Sequence, residues 1–169
     1  MTVLLVTVGT TRFDALVTRI YSKEFQAAAE HVGVVEIILQ HGQSPIPSEM
    51  THSAAKVRPE TYISDMESRI QTADIVIGHA GSGTVLDVLR GPIFDNAARR
   101  IPKLILVPNE DLMDNHQQEL AHCLQKMGCV LVANVENLPV VLTDSLIFKP
   151  TALFKSNPNC MNTLIKSLL

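Results

Sequence analysis

Residues 74–84 read DIVIGHAGSGT, an apolar run that passes directly into a stretch rich in glycine. The branched side chains of Ile75–Ile77 predict a buried strand that ends at Gly78. Apolar residues then recur at helical spacing over 85–89, so a helix follows the turn. A buried strand, a glycine-rich turn and a helix form the unit from which parallel α/β sheets are built. The stretch therefore predicts an α/β fold.

The same alternation of strand and helix runs along the whole chain. It predicts a single domain, residues 1–169, built on a doubly wound, mostly parallel, Rossmann-like sheet. Within this domain, Arg90–Ile101 is expected to be a surface insertion marked by Gly91-Pro92, and 159–169 a C-terminal docking helix. The predicted strands are Val3–Val8, Val34–Gln40, Asp74–Gly78, Lys103–Val107 and Val130–Val132. The predicted helices are Asp14–His31, Thr61–Thr72, the segment 85–89 and Asn115–Met127, with a loop at His41–Ala55 and with Gly128 ending the last of these helices.

Composition narrows the class of protein. The chain of 169 residues is 46% hydrophobic and 18% charged, which suits one compact folded domain. A net charge of -3, with Arg99–Arg100 as the one local basic pair, argues against a nucleic-acid partner. No apolar run approaches the ~20 residues that span a bilayer, and the start at Met1 shows no signal peptide. Cys123, Cys129 and Cys160 lack metal or redox spacing and are expected to be reduced cytosolic thiols.

The glycine-rich turn is the first candidate ligand site. Gly81 and Gly83 allow the backbone to approach a bulky anion closely. Ser82 and Thr84 offer hydroxyls, and the start of the following helix favours negative charge. The spacing matches neither a dinucleotide-binding motif nor a P-loop. We expect a diphosphate cradle here, the alternative being a structural turn; His79 by itself is more typical of a structural histidine.

Two further features each leave two interpretations open. Gly9-Thr10-Thr11 follows the first predicted strand and either faces an anion or forms a plain tight turn in which Thr or Asp14 caps the helix. Asp87 lies about one turn into the helix after the glycine-rich stretch. Its carboxylate either accepts ribose hydroxyls or complements the helix dipole.

Polar residues cluster between Asn109 and Gln118, after a predicted strand and at the start of a helix. Their amides and acids match the many hydroxyls of a sugar, whereas the alternative is an ordinary polar loop capped by Asp114 or Asn115. We favour sugar contacts. The sequence contains no metal-binding motif and no nucleophile elbow, so we expect neither a bound metal nor a cofactor.

Three stretches carry a family resemblance. Residues 6–14, VTVGTTRFD, residues 79–84, HAGSGT, and residues 112–118, LMDNHQQ, resemble in order and spacing the glycosyltransferase family 28 C-terminal domain. Within this family they look like the donor-binding subunit of the eukaryotic UDP-N-acetylglucosamine transferase of dolichol-linked oligosaccharide assembly. The similarity runs from about Thr2 to about Val132.

The resemblance implies the C-terminal half of a GT-B glycosyltransferase that uses UDP-GlcNAc as its donor. It further implies inverting, metal-free transfer of GlcNAc to GlcNAc-diphosphodolichol, a step in lipid-linked oligosaccharide assembly for N-glycosylation. A membrane-anchored partner subunit would carry the acceptor-binding half. That partner would recruit this cytoplasmic chain to the cytosolic face of the endoplasmic reticulum.

The resemblance also assigns roles to residues. It places the glycine-rich loop on the diphosphate, the first turn at the domain crevice, and Asp87 on the ribose hydroxyls, where bacterial relatives have a Glu. The shorter Asp leaves direct ribose contact as an expectation, and the long Arg90–Ile101 stretch lies close behind it. The implied donor-binding set is Gly9, Thr10, Thr11, His79, Gly81, Ser82, Gly83, Thr84, Asp87, Asn115, Gln117 and Gln118.

An inverting displacement needs a base for the acceptor hydroxyl, and the sequence does not identify one. His79 and His116 are candidates by chemistry, and a base in the partner is equally consistent. Other functions remain open: a nucleotide-binding regulatory module without catalysis, or a sugar-nucleotide enzyme such as an epimerase acting alone. An apolar C-terminal stripe either docks on the partner or packs on the chain's own sheet; it comprises Leu164, Ile165, Leu168 and Leu169.

Overall fold

The computed structural model describes residues 1–48, 55–94, 101–109 and 116–151, without the side chains of 90–94 and 116. These residues contain one six-stranded sheet in which every neighbouring pair of strands is parallel. The strands are β1 (Thr2–Thr7), β2 (Val34–Gln40), β3 (Lys56–Glu60), β4 (Ile75–Gly78), β5 (Lys103–Leu106) and β6 (Leu131–Val132). Their order, β3-β2-β1-β4-β5-β6, is that of the dinucleotide-binding doubly wound fold, so the predicted fold class is confirmed.

Six helices in the described residues cover both faces of this sheet. The helices α1, α2 and α6 pack on one face and α3, α4 and α5 on the other, so each face has its own apolar core. Successive residues of β1 serve opposite cores, with Leu4 in the first and Leu5 in the second, as strand geometry requires. No helix in the described part of the chain is both long and apolar enough to cross a membrane. The helices are α1 (Asp14–Ile20), α2 (Lys23–Val32), α3 (Met66–Thr72), α4 (Ser82–Phe94), α5 (His116–Lys126) and α6 (Leu138–Asp144).

The structure corrects the predicted helix Asp14–His31, which is divided into α1 and α2. Ser22 lies between them in extended backbone conformation, and its hydroxyl accepts a hydrogen bond from the Phe25 N–H at 3.3 Å. This is an N-cap, so Ser22 begins a new helix instead of continuing the old one. The helix predicted from Thr61 likewise begins only at Met66.

Two elements were not predicted at all. The strand β3 lies at the edge of the sheet, is largely exposed and contains Pro59, so it lacks the apolar pattern of a buried strand. The helix α6 has Pro139 in its first turn and buries Leu138 and Leu142 against the core shared with α1 and α2.

Other boundaries agree with expectation or extend it. Gly128 has φ +69° and follows α5, and the Cys129 N–H donates to the Leu124 carbonyl at 3.0 Å, as in a Schellman motif. The helix α4 continues through Gly91 and Pro92 to Phe94, so the first part of the Arg90–Ile101 stretch belongs to this helix. Residues 95–100 and the expected docking helix 159–169 lie outside the described residues.

The strand order places a crevice between β1 and β4. The chain leaves β1 for α1 on one face of the sheet and leaves β4 for α4 on the other. Thr7 and Gly78 are register partners at the carboxyl ends of these two strands. Because ligands of open α/β sheets bind where neighbouring connections diverge in this way, the two predicted ligand turns meet at the expected position.

Candidate functional site

The imidazole of His79 lies between the two turns. A Cβ atom added to Gly9 would come within 2.9 Å of the ring atom Cε1. A Cβ added to Gly81 would come within 2.5 Å of Nε2. Both glycines are therefore required by the packing of the histidine ring, and His79 connects the turn after β1 to the turn after β4.

Burial lowers the pKa of His79 below its usual value of 6.5, an effect that the Thr7 backbone partly opposes. The ring is therefore neutral at pH 7 and carries one N–H group and one lone pair. Its Nδ1 atom is buried and forms no hydrogen bond within the described residues. Because Nδ1 is buried, the nitrogen left to contact a ligand is Nε2, which lies beside Gly81.

A buried amide fixes the turn after β1. Gln40, at the end of β2, is 2% exposed, and its Nε2 donates to the Gly9 carbonyl at 2.9 Å. The Thr7 hydroxyl donates to Gln40 Oε1 at 3.3 Å and accepts from the Gly9 N–H at 3.0 Å. The Thr11 hydroxyl donates to the Val8 carbonyl at 2.7 Å. The Gly9 N–H and the Thr11 hydroxyl are thus engaged inside the turn, whereas the Thr10 side chain is exposed.

The turn after β4 is open where α4 begins. Ala80 is buried and has φ +62°, a conformation that costs an L-residue free energy and marks a constrained loop. The first bond back along the turn joins the Val85 N–H to the Gly81 carbonyl at 3.1 Å. The preceding N–H groups, on residues 82–84, have no acceptor within the helix. Nothing lies within 4 Å of a Cβ built on Gly83, so this helix start faces free space.

The remaining predicted residues lie on α4 and α5. Asp87 is exposed on α4. Gln117 is half-buried in the first turn of α5, and its Oε1 accepts from the Asn109 N–H at 3.4 Å, whereas Gln118 is exposed. Asn115 lies outside the described residues. His116 begins α5, and its side chain is also outside the described part, so its proposed role as a base remains a prediction.

The sequence alone does not point to Gln40 as a residue of this candidate site, and it shows Asn109 only as one member of a polar run. No local motif marks Gln40, which acts on a turn 31 residues away in the chain. Asn109 was included only as part of a polar run. It is in fact 6% exposed and connects three segments, since its Nδ2 donates to the Arg12 carbonyl at 3.4 Å while its N–H meets Gln117. A polar residue directly after a buried strand was the available signal.

Comparison with known proteins gives a consistent result. A family model described as the glycosyltransferase family 28 C-terminal domain matches residues 3–160. The UDP-N-acetylglucosamine transferase subunit ALG13 of Cryptococcus neoformans is 34% identical over 164 residues, covering 80% of this chain and 78% of that protein. The Homo sapiens protein of the same name is 36% identical over 124 residues, which are 73% of this chain but 10% of the human one.

Solved structures agree with the fold. An NMR solution structure of ALG13 superposes with a TM-score of 0.69 at 26% identity, covering 98% of this chain and 96% of that one. MurG of Acinetobacter baumannii, at 21% identity and a TM-score of 0.58, shares the fold over 85% of this chain and 39% of its own length.

Proposed function

The chain belongs to the glycosyltransferase family 28 C-terminal domain family, and we propose on this premise that it binds UDP-N-acetylglucosamine as the donor-binding subunit of an inverting glycosyltransferase. The observation that carries the proposal is the arrangement of His79 between Gly9 and Gly81, beside the open start of α4. Relatives that are 34% and 36% identical bear the name of a UDP-N-acetylglucosamine transferase subunit.

The donor diphosphate is proposed to lie over residues 82–84. Their N–H groups and the positive end of α4, a helix of 13 residues, favour an anion. The neutral ring of His79, in the turn that leads into α4, adds a hydrogen-bond donor. Each such bond to a charged oxygen is worth about 1.5–3 kcal/mol, and the resemblance implies that no metal takes part.

The rest of the donor is assigned by position along the edge of the sheet. Asp87 is exposed on α4 beyond the diphosphate, where its carboxylate can accept both ribose hydroxyls. Gln117 and Gln118 lie in the first turn of α5. The side-chain oxygen Oε1 of Gln117 is held by the Asn109 N–H. The amide groups of both glutamines are proposed to bind the hydroxyls of the donor sugar.

The proposed reaction is a single displacement with inversion. An acceptor hydroxyl oxygen forms a bond to the anomeric carbon, and the bond from that carbon to the diphosphate breaks. The electron pair leaves with UDP, whose charge the α4 cradle stabilises. The hydroxyl proton passes to a base. We propose that this base lies in the partner subunit, because the packing of His79 between two glycines suits a phosphate contact.

The acceptor and the setting are proposed from the resemblance of the sequence. The proposed acceptor is GlcNAc-diphosphodolichol. The proposed partner is a membrane-anchored subunit that brings this chain to the cytosolic face of the endoplasmic reticulum. The C-terminal stripe predicted from the sequence remains the proposed docking segment.

The test is a calorimetric titration of the purified chain with UDP-GlcNAc, followed by a transfer assay with the co-expressed partner and a GlcNAc-diphospholipid. Asp87→Asn and Gln118→Ala should each raise the donor KM about tenfold or more, as loss of a charged or neutral hydrogen bond predicts. The matched controls are Asp144→Asn, an exposed acid at the end of α6, and Glu119→Ala, the exposed neighbour of Gln118. Binding without transfer in any pairing would favour a regulatory nucleotide-binding module.

A further inference from the structure

A second pocket opens at the carboxyl edge of the sheet, on the face that carries α1 and α6. Its volume is about 300 Å³. Phe13 and Ala15, at the start of α1, form one wall, and Pro108 and Asn109, after β5, form another. The segment 134–136, after β6, closes the third side. The pocket shares no lining residue with the proposed donor cradle at the start of α4, so it is a separate site.

The walls of the pocket are held in place by hydrogen bonds behind them. Arg19 donates to the Val135 carbonyl at 3.1 Å and to the Glu136 carbonyl at 2.7 Å. Asn134 and Asn137 each accept, through the side-chain oxygen, the backbone N–H of the other, at 2.7 and 2.8 Å. The Phe13 N–H donates to the buried Ser44 hydroxyl at 2.7 Å. A pocket fixed in this way costs little ordering when a ligand enters.

The lining selects for a neutral ligand rich in hydroxyl groups. Phe13, Pro108 and Val135 supply apolar surface, while Asn109, Asn134 and Glu136 supply amides and a carboxylate. No lysine or arginine is among the described residues that line the pocket, so a phosphate or carboxylate group would find no countercharge among them. Small-molecule sites span about 300–1,000 Å³, and the present volume at the lower limit suits one sugar ring better than a nucleotide-sugar.

Asn109 connects this pocket to the proposed donor-sugar site. Its side chain lines the pocket and, at 6% exposure, is almost fully buried. Its backbone N–H donates to Gln117, one of the two amides assigned to the donor sugar. The wall of the pocket and the proposed donor-sugar contacts are therefore separated by a single residue.

We propose that this pocket is an acceptor-side subsite that holds the neutral N-acetylhexosamine ring of the diphospholipid acceptor. The inference rests on the proposed function, since it places an acceptor sugar beside a donor sugar. It assigns part of acceptor recognition to the subunit that carries the donor cradle. Pro108 and Val135 pack on the apolar face of the ring, and the amides and Glu136 bind its hydroxyl and acetamido groups.

The test fills the pocket with a larger side chain and measures the KM of the acceptor and the KM of the donor separately. Ala15→Leu adds bulk at an exposed position of α1 that lines the pocket, and Ala27→Leu makes the same change at an exposed position of α2. Assayed with the co-expressed partner, Ala15→Leu should raise the acceptor KM about tenfold or more and leave the donor KM unchanged. Ala27→Leu should change neither. An unchanged acceptor KM in Ala15→Leu would overturn the proposal.

A direct titration separates the possible occupants. In the isotopically labelled full chain, free N-acetylglucosamine should shift the amide resonances of Ala15, Asn109 and the segment 134–136, and Ala15→Leu should abolish these shifts. No shift at these positions, together with loss of co-purification of the partner by Ala15→Leu, would make the pocket a protein contact and overturn the proposal. Failure of the wild-type chain to bind UDP-GlcNAc would instead contradict the proposed function, which the sugar titration does not depend on.

Discussion

The imidazole of His79 occupies the space that a side chain at Gly9 would need, because a Cβ at Gly9 would lie 2.9 Å from His79 Cε1. Gly9 follows β1 and His79 follows β4, so this contact couples the two turns that define the crevice. The first prediction tests this coupling.

Gly9→Ala should destabilise the protein and weaken UDP-GlcNAc binding. Gly9 has φ +67°, so alanine there costs about 1–2 kcal/mol in backbone strain, and overpacking against His79 adds about 1–3 kcal/mol. Gly33→Ala is the matched control, since Gly33 has φ +78° but nothing lies within 4 Å of its added Cβ. Urea denaturation measures the loss of unfolding free energy in each of the two variants. Equal losses in the two variants would show that His79 does not restrict Gly9.

Gln40→Leu should reduce both stability and donor binding. It leaves the Gly9 carbonyl and the Thr7 hydroxyl without their buried partner, at a cost of about 1–3 kcal/mol. Gln26→Leu is the control, because Gln26 is also buried and donates to the Ile20 carbonyl at 2.6 Å, far along the chain from the turn. Both variants should unfold at lower urea concentration. A donor KM raised equally in both would remove the specific role assigned to Gln40.

The fold was predictable wherever a segment is buried on both sides. The strands β1, β2, β4 and β5 are apolar runs, and their alternation with helices was sufficient for the sheet class. The edge strand β3 carries no such run. One side of its backbone has no neighbouring strand in the described sheet, and most of its side chains are exposed. The other edge strand, β6, is only half-buried but does have an apolar run, and it was predicted.

The site was predictable in its turns but not in the contacts between them. The glycines and hydroxyls of residues 79–84 are adjacent in sequence, so a local motif was sufficient to predict a candidate cradle. The contacts Gln40 to Gly9 and Gly9 to His79 join residues distant in the chain and depend on the strand order. No local pattern encodes strand order, so these contacts required the structure.

Ser22→Ala should shorten α2 from its start and lower the free energy of unfolding by about 1 kcal/mol, since the variant loses the N-cap bond to the Phe25 N–H. Ser68→Ala, in the exposed interior of α3, should be neutral or stabilise by a few tenths of a kcal/mol, because alanine is the better helix former (~0.5 kcal/mol). Thermal unfolding with circular dichroism distinguishes the two. Donor binding should be unchanged in both variants.

The free energy of unfolding should decrease at acid pH because His79 is buried in its neutral form. Its folded pKa lies below the usual 6.5, so as pH falls the unfolded chain takes up this proton first. The stability that follows from this pKa shift of His79 is therefore fully present above about pH 6.5, and it is lost as pH falls from there towards the folded pKa. His79→Asn should unfold with a weaker dependence on pH in this window. His31→Asn, an exposed histidine on α2, is the control. A wild-type minus His79→Asn difference that does not vary with pH would contradict the assignment.

Donor binding should shift the pKa of His79 in the opposite direction, upwards. A diphosphate beside the His79 ring favours the protonated imidazolium, so bound UDP should raise the pKa of His79 towards or above its ordinary value. Binding of UDP-GlcNAc, whose diphosphate is already fully ionised near pH 6.5, should then take up a proton at that pH, and its affinity should increase as pH falls. Calorimetry in two buffers with different ionisation enthalpies measures this uptake, and His79→Asn should abolish it. Release of a proton, or the same uptake in His79→Asn, would place the diphosphate away from this ring.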